Sequence, residues 1–303
     1  MCVKVQEELL ILPFDHRGTI TEKLMGIKGR QPTEEETKTV AEIKRVIYDG
    51  FQLSLAKGVP KEKTGILVDE QFGEGILRDA WAKGFTTACC IEKSGQDEFQ
   101  FEHDDWKGHI EKVNPTYAKV LVRMNPEGNA EANERTLQRL KILGDYLKKT
   151  DRGYLFELIV TATTPQLVQC GNSKEKFDSE LRPKLMVQGV KMVQEHGIEP
   201  DVWKLEGVDR REDAEALVAQ VRAEGRTAGI ITLGRGENKD KVREWLKVGA
   251  TIPGVIGFAV GRTIFWDAVK GYYDKTIDRQ KAVEIIAQNY REFVDLWENE
   301  KKG

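Results

Sequence analysis

Lys204 lies inside the apolar run Pro-Asp-Val-Trp-Lys-Leu-Glu-Gly (200–207), which ends in residues that favour a turn. A lysine buried among Val202, Trp203 and Leu205 loses hydration, and this favours the neutral amine, which is a nucleophile near neutral pH. Such amines attack ketones to form Schiff bases. The alternative is a lysine that extends from the end of a strand to solvent, which is common for an isolated lysine. Other polar residues of the chain help to decide between a nucleophilic lysine and one that extends to solvent.

Glu157 is a second charged residue in an apolar strand, Phe-Glu-Leu-Ile-Val (156–160). Because an unpaired buried charge is costly, Lys204 on the neighbouring strand is its expected partner. A buried ion pair without chemistry would explain these two residues equally well. Lysine, glutamate and aspartate are also the set that Schiff-base aldol chemistry requires, since carboxyl groups expel water and move the proton that makes or breaks the C–C bond. Lys119 on another strand would add positive charge and favour the neutral form of Lys204.

Short β-rich apolar runs alternate with amphipathic segments along the whole chain. Eight such units predict an α/β fold, a (β/α)8 TIM barrel with an extra C-terminal helix, with 1–303 as a single domain. A doubly wound open sheet is the alternative, but regular units without a composition break favour closure. The predicted strands are 9–15, 64–69, 87–92, 118–124, 154–161, 202–205, 228–233 and 255–260. The predicted helices are 34–55, 75–83, 106–113, 130–149, 179–195, 211–224, 239–248, 263–273 and 279–299.

Barrels of this kind place their active sites at the C-terminal ends of the strands. The polar residues there are Asp15, His16, Arg17, Asp69, Glu70, Glu92, Lys93, Lys119, Arg123, Glu157, Lys204, Glu206, Arg235 and Arg262. Strands seven and eight end in Ile-Thr-Leu-Gly-Arg-Gly (231–236) and Gly-Phe-Ala-Val-Gly-Arg-Thr-Ile-Phe (257–265). Glycine lets the backbone approach an oxyanion, and Arg262 can bind it with two nitrogens, so these turns predict a phosphate site.

With these residues, the chain resembles the class I aldolases of the tagatose-bisphosphate aldolase type. It is more similar still to the 2-deoxy-5-keto-gluconate-6-phosphate aldolase domain of inositol catabolism. The matching motifs occur in order over nearly the whole chain. They are Leu-Pro-Phe-Asp-His-Arg-Gly (12–18), Ile-Leu-Val-Asp-Glu-Gln-Phe-Gly (66–73), Ile-Glu-Lys-Ser-Gly (91–95), Lys-Val-Leu-Val (119–122), Phe-Glu-Leu (156–158), Trp-Lys-Leu-Glu (203–206) and 257–265.

The resemblance implies a role for each matching residue. Lys204 would form the Schiff base, and Glu157 would be the acid/base that acts on the carbinolamine. Asp15 would contact substrate hydroxyls and assist C–C cleavage, and Lys119 would be a second active-site lysine. Gly234, Gly261 and Arg262 would lie at the phosphate. No cofactor or metal is implied.

One position departs from the family pattern. The sugar-bisphosphate aldolases of this group have Asp-Gln where this chain has Asp15-His16. The departure favours cleavage of 2-deoxy-5-keto-gluconate 6-phosphate to dihydroxyacetone phosphate and malonate semialdehyde. His16, Arg17 or Arg235 would then bind the C1 carboxylate of the substrate.

Three other functions stay open. The same lysine could act on another ketose phosphate, such as tagatose bisphosphate or a sulfo-sugar phosphate. A non-catalytic sugar-phosphate-binding barrel would be expected to lack the lysine. A metal-dependent class II aldolase would need clustered histidines at the strand ends, and strands two to eight carry none there. His103, Asp104, Asp105 and His109 could be imagined as a metal cluster, but a solvated helix start with an acidic first turn is the favoured interpretation.

The composition of the chain argues against nucleic acids and membranes as partners. The 47 basic and 50 acidic residues give a net charge of −3, which predicts neither a nucleic-acid nor a membrane surface. Four cysteines and a first segment without a basic and an apolar region predict a cytoplasmic protein. The predicted last helix has an apolar stripe, which favours a cover for the barrel over a homo-oligomer interface. The stripe consists of Ala282, Ile285, Ile286, Phe293 and Leu296.

Overall fold

The structure is a computed structural model that describes residues 7–302. Eight parallel strands are hydrogen-bonded in chain order, and the last pairs with the first, so the sheet closes into a barrel. The predicted (β/α)8 barrel is therefore confirmed. The strands are β1 Leu9–Pro13, β2 Thr64–Val68, β3 Thr86–Cys90, β4 Tyr117–Arg123, β5 Gly153–Ile159, β6 Val202–Glu206, β7 Gly229–Leu233 and β8 Val255–Ala259.

Helices follow every strand and surround the barrel. They are α1 Glu34–Ala56, α2 Glu70–Ala82, α3 Trp106–Val113, α4 Ala130–Lys149, α5 Thr164–Gln169, α6 Lys174–Lys176, α7 Arg182–Glu195, α8 Arg211–Val221, α9 Lys239–Ala250, α10 Arg262–Tyr273 and α11 Arg279–Lys302. Two π-helical segments, Thr19–Leu24 and Phe177–Leu181, lie in the loops after β1 and β5. Among residues 7–302, no helix has both the length and the apolar character needed to cross a membrane.

The C-terminal helix α11 covers the side of the barrel where the first strand, β1, pairs with the last strand, β8. It packs against α1, α9 and α10, and Tyr290 donates a hydrogen bond of 2.6 Å from its hydroxyl to the carbonyl of Leu10 in β1. Of the predicted apolar stripe, Ala282, Ile286 and Phe293 are buried, while Ile285 and Leu296 are partly buried against the core. The stripe therefore serves as the cover that the sequence favoured.

Side chains alternate between the inside of the barrel and the layer beneath the helices, because successive residues of a strand point to opposite faces. The interior holds a small apolar cluster of its own, separate from the large core between sheet and helices. It consists of Leu9, Ile11, Leu67, Ala88, Cys90, Tyr117, Leu155, Val202, Ile231, Ile256 and Ala259. The same alternation decides which polar residues project into the barrel mouth.

The α2 helix begins at Glu70, five residues before the predicted 75. Asp69 caps it by accepting a hydrogen bond from the Phe72 amide at 2.9 Å. Gly73 lies inside this helix, at a position where a Cβ would come within 2.4 Å of the Val68 side chain. The missing side chain lets α2 pack closely on β2, so this glycine does not mark a loop. The prediction 179–195 was also late, since helical structure begins at α6.

Candidate active site

Three charged residues project into the barrel mouth from consecutive strands. Lys119 lies on β4, Glu157 on β5 and Lys204 on β6, each in step with interior residues of its strand. Glu157 and Lys204 are direct neighbours in the strand register. Asp15 reaches the same place from the loop after β1. The structure thus brings together all four residues that the sequence assigned to catalysis.

These side chains form a compact ionic network, which also includes Glu92 and is called here the lysine–carboxylate cluster. Lys204 Nζ lies 2.5 Å from Glu157 Oε1, so the ion pair expected from the sequence is present. Lys119 Nζ lies 3.0 Å from the other Glu157 oxygen, 3.0 Å from Asp15 Oδ2 and 2.7 Å from Glu92 Oε1. Lys119 therefore contacts three carboxylates, while Lys204 has one carboxylate partner among residues 7–302.

Burial and charge act in opposite directions on this cluster. Burial lowers the pKa of Lys119, but Asp15, Glu157 and Glu92 more than offset it, so that pKa ends well above its usual value. Burial likewise raises the pKa of Asp15, yet Lys119, His16 and Lys204 bring it well below the usual range. The pKa of Glu157 is lowered too, because Lys119 and Lys204 outweigh burial. Asp15 and Glu157 are thus carboxylates at neutral pH.

Glu92 and Cys90 are site residues to which the sequence interpretation gave no role. Burial raises the pKa of Glu92, an effect that Lys119 only partly offsets, so Glu92 is the carboxyl group of the cluster most easily protonated. The Sγ atom of Cys90 lies 3.3 Å from Asp15 Oδ2. Burial raises the pKa of this thiol, which therefore keeps its proton and donates a hydrogen bond to the Asp15 carboxylate. Both residues stand at the end of β3, which was the available clue.

His16 lies beside the cluster, with Nδ1 3.7 Å from Asp15 Oδ1 and its ring edge-on to Phe265. Burial lowers the pKa of His16 to about 4, although Asp15 partly opposes the shift. The imidazole is therefore neutral at pH 7. It can donate or accept a hydrogen bond, but it does not supply the positive charge that the sequence interpretation required for binding a carboxylate.

Arg17 and Arg235 were expected to bind substrate, and the structure engages both guanidinium groups elsewhere. Arg17 donates from Nη1 to Glu102 at 2.7 Å and from Nη2 to the Glu92 carbonyl at 2.9 Å. Arg235 pairs through Nη1 with Asp178 at 2.5 Å and through Nε with Glu206 at 2.8 Å. These contacts hold the loops around the site in place, while the expectation that either arginine binds substrate stays a prediction.

Arg262 has a different environment at the start of α10. It donates from Nη2 to the Arg235 carbonyl at 2.9 Å, and within residues 7–302 no carboxylate lies within ion-pair distance of it. Burial lowers its pKa. Gly236, at φ +80°, lets the guanidinium lie against the chain, since a Cβ there would come within 2.0 Å of Arg262 Nη2. A cation without a counter-ion at a helix N-terminus is suited to an anion.

Two adjoining cavities open at this end of the barrel. The first, of about 340 Å³, is lined by the lysine–carboxylate cluster. The second, of about 310 Å³, is lined by Gly234, Gly261 and Arg262, together with Arg235. Both lie within the size range of small-molecule sites, roughly 300–1,000 Å³. The residues common to both walls are His16, Thr19, Leu121, Arg123, Glu157 and Lys204.

The segment 103–109 is only partly as expected. Asp105 caps α3 by accepting a hydrogen bond from the Gly108 amide at 3.0 Å, which agrees with a helix start. His109, however, is not solvated. Its side chain is only 5% exposed and faces Glu70 at the start of α2. The sequence gave no sign of this contact, because the two residues lie in different helices, 39 positions apart in the chain.

Fold and site together define a closed (β/α)8 barrel with two lysines and three carboxylates in its mouth. The chain belongs to the family described as "Uncharacterized protein conserved in bacteria (DUF2090)", whose profile matches residues 2–301. No curated protein matches the chain.

Two examples illustrate the similarity of this structure to solved ones. Fructose-bisphosphate aldolase from Plasmodium falciparum, crystallised with TRAP and a small-molecule inhibitor, has a TM-score of 0.68 at 15% identity, covering 99% of this chain and 94% of that one. Cgl0159 from Corynebacterium glutamicum (Brevibacterium flavum) has a TM-score of 0.56 at 18% identity, covering 94% of this chain and 86% of that one. At these identities the similarity concerns the fold alone.

Proposed function

We propose that this chain is a single-domain Schiff-base (class I) aldolase, an aldehyde lyase that cleaves a keto-sugar-acid phosphate. Its substrate would be 2-deoxy-5-keto-gluconate 6-phosphate, and its products dihydroxyacetone phosphate and malonate semialdehyde. The observation that carries the proposal is the position of Lys204, which is paired with Glu157 in the wall shared by two cavities. A ketone placed between the cavities would meet the amine and its acid partner together.

Lys204 is a better nucleophile than Lys119 for an electrostatic reason. Three carboxylates surround Lys119 and hold its pKa well above the usual value, so its ammonium keeps its proton. In the part of the chain that the structure describes, Lys204 pairs with Glu157 alone, and proton transfer across their 2.5 Å contact would give an amine and a carboxylic acid. Lys119 would then stabilise the negative charge that remains on the other carboxylates.

The proposed steps balance with these groups alone. The Lys204 amine adds to the substrate ketone, and Glu157 in its acid form protonates the carbinolamine hydroxyl, which leaves as water to give an iminium ion. Asp15 then takes the proton of the hydroxyl group two carbons from the iminium carbon. The electrons of the C–C bond move to the iminium nitrogen, which releases the aldehyde and leaves an enamine. Protonation and hydrolysis of the enamine free the ketone product.

The cations around the two cavities support a substrate with an anion at each end. Arg262 and the glycines of the second cavity would bind the phosphate. Arg123, at the end of β4, borders both cavities. Its Nη1 donates a long hydrogen bond of 3.4 Å to the Gln96 carbonyl. We assign the C1 carboxylate to Arg123, because Arg17 and Arg235 are engaged and His16 is neutral.

Two further observations agree with the proposal. The motifs shared with class I aldolases include the residues that meet in the cluster, and a protein named fructose-bisphosphate aldolase has the same fold. Cys89, Cys90 and Cys170 are unpaired, as expected in the reducing cytoplasm, where we place the reaction. The proposed chemistry uses the lysine amine and needs no cofactor.

Trapping the intermediate tests this function. The protein would be incubated with dihydroxyacetone phosphate, reduced with borohydride and digested, and the adduct located by mass spectrometry. We expect a covalent adduct on Lys204. No adduct, or an adduct on Lys119 or Lys93, would refute the assignment and favour a non-catalytic sugar-phosphate-binding barrel. Turnover of 2-deoxy-5-keto-gluconate 6-phosphate would then be compared with turnover of tagatose bisphosphate and sulfo-sugar phosphates, which tests the proposed substrate against the alternatives.

Arg262→Ala is expected to weaken binding of phosphorylated substrates specifically. Loss of a charged hydrogen-bond donor should raise KM roughly 10- to 100-fold with a smaller change in kcat. Steady-state kinetics measure this effect. Borohydride trapping of unphosphorylated dihydroxyacetone serves as control and should be unchanged. An equal loss with both ketones would contradict a phosphate role for Arg262.

Arg123→Ala is expected to affect the acid end of the substrate. KM for the keto-acid phosphate should rise roughly 10- to 100-fold, because the carboxylate loses its cation. Trapping with dihydroxyacetone phosphate should proceed as in the parent, since that molecule has no carboxylate. If the variant traps dihydroxyacetone phosphate poorly, Arg123 belongs to the phosphate end instead.

A further inference from the structure

A second group of polar side chains lies outside both cavities, between the loops that follow β2 and β3. Glu70 is the first residue of α2, His103 lies in the loop after β3, and His109 is in α3. Each offers one ligand atom, and these atoms lie within 4.8 Å of one another. We call them the Glu70–histidine cluster. None of the three lines the walls of the candidate active site.

The distances in this cluster are close to those around a metal ion. Glu70 Oε2 lies 2.8 Å from His109 Nε2 and 3.6 Å from His103 Nε2. Ligands at about 2.0–2.1 Å from a tetrahedral zinc ion are about 3.3 Å apart, and the two distances lie on either side of this value. Small side-chain rotations would therefore suffice. Two imidazoles and one carboxylate are a ligand set that zinc accepts while it keeps an open position for water.

His109 gives independent evidence for a ligand. Its side chain is 95% buried, and neither ring nitrogen has a hydrogen-bond partner among the described residues. The approach of Nε2 to Glu70 has a short distance but not the direction of a hydrogen bond. Because buried polar atoms are nearly always satisfied, an imidazole turned towards a carboxylate and a second imidazole requires an explanation. A cation between the three side chains would supply one.

Lys112 is the group that competes with a metal here. Its Nζ lies 2.7 Å from Glu70 Oε1, while the histidines approach the other oxygen, Oε2. The Lys112 side chain is 63% exposed, so it can stay on Oε1 or move into solvent at little cost. The electrostatics of the site therefore permit a divalent ion on Oε2.

We propose that Glu70, His103 and His109 bind a divalent transition-metal ion, with zinc as the best match to their ligand set. The ion would join the start of α2 to the segment 93–105 that leads into α3. That segment carries Lys93 at the rim of the first cavity and Glu102, which pairs with Arg17. The metal is thus a structural clamp on one wall of the active site and takes no part in the chemistry.

The test measures metal binding directly. Metal-free protein, prepared with a chelator, is titrated with Zn²⁺ against a chromophoric competitor and, separately, with Co²⁺ for its visible spectrum. His103→Ala is the main variant, because this side chain is 49% exposed and its loss should not impair folding. His196→Ala is the matched control, since His196 contacts Glu134 and is not part of the cluster. Melting temperatures without metal confirm that both variants are folded.

We expect one Zn²⁺ per chain, an affinity that falls roughly tenfold or more in His103→Ala, and no change in His196→Ala. Bound Zn²⁺ should raise the Tm and slow proteolysis within 93–105 in the parent and the control only. Equal Zn²⁺ affinity in the parent and His103→Ala would overturn the proposal. So would an intense thiolate-to-cobalt absorption in Co²⁺-loaded protein, because it would place the ion on a cysteine and not on the Glu70–histidine cluster, which has no thiol.

Discussion

Replacing Lys204 by Met is expected to abolish aldol cleavage while the barrel stays folded. Methionine has no nucleophilic nitrogen, so neither the iminium ion nor the borohydride adduct can form. It fills a similar apolar volume, and Glu157 keeps Lys119 at 3.0 Å as its counter-ion. We expect the free energy of unfolding to fall by only about 1–3 kcal/mol. Turnover assays, mass spectrometry and urea unfolding measure the three quantities.

Lys204→Arg is the matched control for this experiment. It retains the positive charge that faces Glu157, but a guanidinium is protonated at all accessible pH values and does not add to ketones. If Lys204 acts as a nucleophile, the arginine variant should be as inactive as the methionine variant and more stable. Substantial turnover by Lys204→Arg would mean that the residue contributes only its charge, and the Schiff-base mechanism would be wrong.

Replacing Lys119 by Met is expected to have the largest effect on stability. Asp15, Glu92 and Glu157 all lie within 3.0 Å of its Nζ, so the variant leaves three carboxylates close together, one of which keeps Lys204. Removal of one member of a buried ionic network costs about 3–5 kcal/mol. We expect a loss of at least this size at neutral pH, measured by urea unfolding. A variant as stable as the parent would contradict the role given to Lys119.

The size of this loss should depend on pH. In the parent, the lowered pKa values of Asp15 and Glu157 mean that their contribution is present at neutral pH and is lost only as the pH falls through those folded-state values. Without Lys119 the carboxyl groups of the cluster gain stability by taking up protons. The difference between variant and parent should therefore be larger at about pH 7.5 than at about pH 5. An equal difference at both pH values would point to lost packing.

Glu92→Gln provides the control. Because burial raises the pKa of Glu92, this residue is the least costly of the three carboxylates to neutralise. Combining Glu92→Gln with Lys119→Met should recover part of the lost stability, since one excess negative charge is removed. If the double variant is less stable than Lys119→Met alone, repulsion between the carboxylates is not the cause of the loss.

Much of the site could be predicted from the sequence because strand alternation is a local property. Once 118–124, 154–161 and 202–205 are recognised as barrel strands, their charged residues must end near one another at the mouth of the barrel. Lys119, Glu157 and Lys204 meet there for this reason, and the Glu157–Lys204 pair follows from adjacent strands. The two glycine–arginine turns were found in the same way, since each directly follows its strand.

The partners of the loop residues could not be predicted in this way. Arg17 binds Glu102, which is 85 positions away, and Arg235 binds Asp178 across 57 positions. Both arginines directly follow barrel strands, where ligand-binding residues are expected. Only the folded loops show that nearby carboxylates form ion pairs with them. His109 was assigned to a solvated helix for the same reason, because its buried contact is with Glu70 at the start of another helix.

The sequence by itself determined the barrel, the order of its strands and the set of charges that face its mouth. These features follow from hydrophobic periodicity and strand alternation, which act over a few residues. The tertiary structure alone decided which of those charges are neutralised internally and which stay available to a ligand. That division depends on distances of a few ångströms between loops far apart in the chain. On that basis we propose Lys204, Arg123 and Arg262 for a substrate, and Glu70 with two histidines for a metal ion.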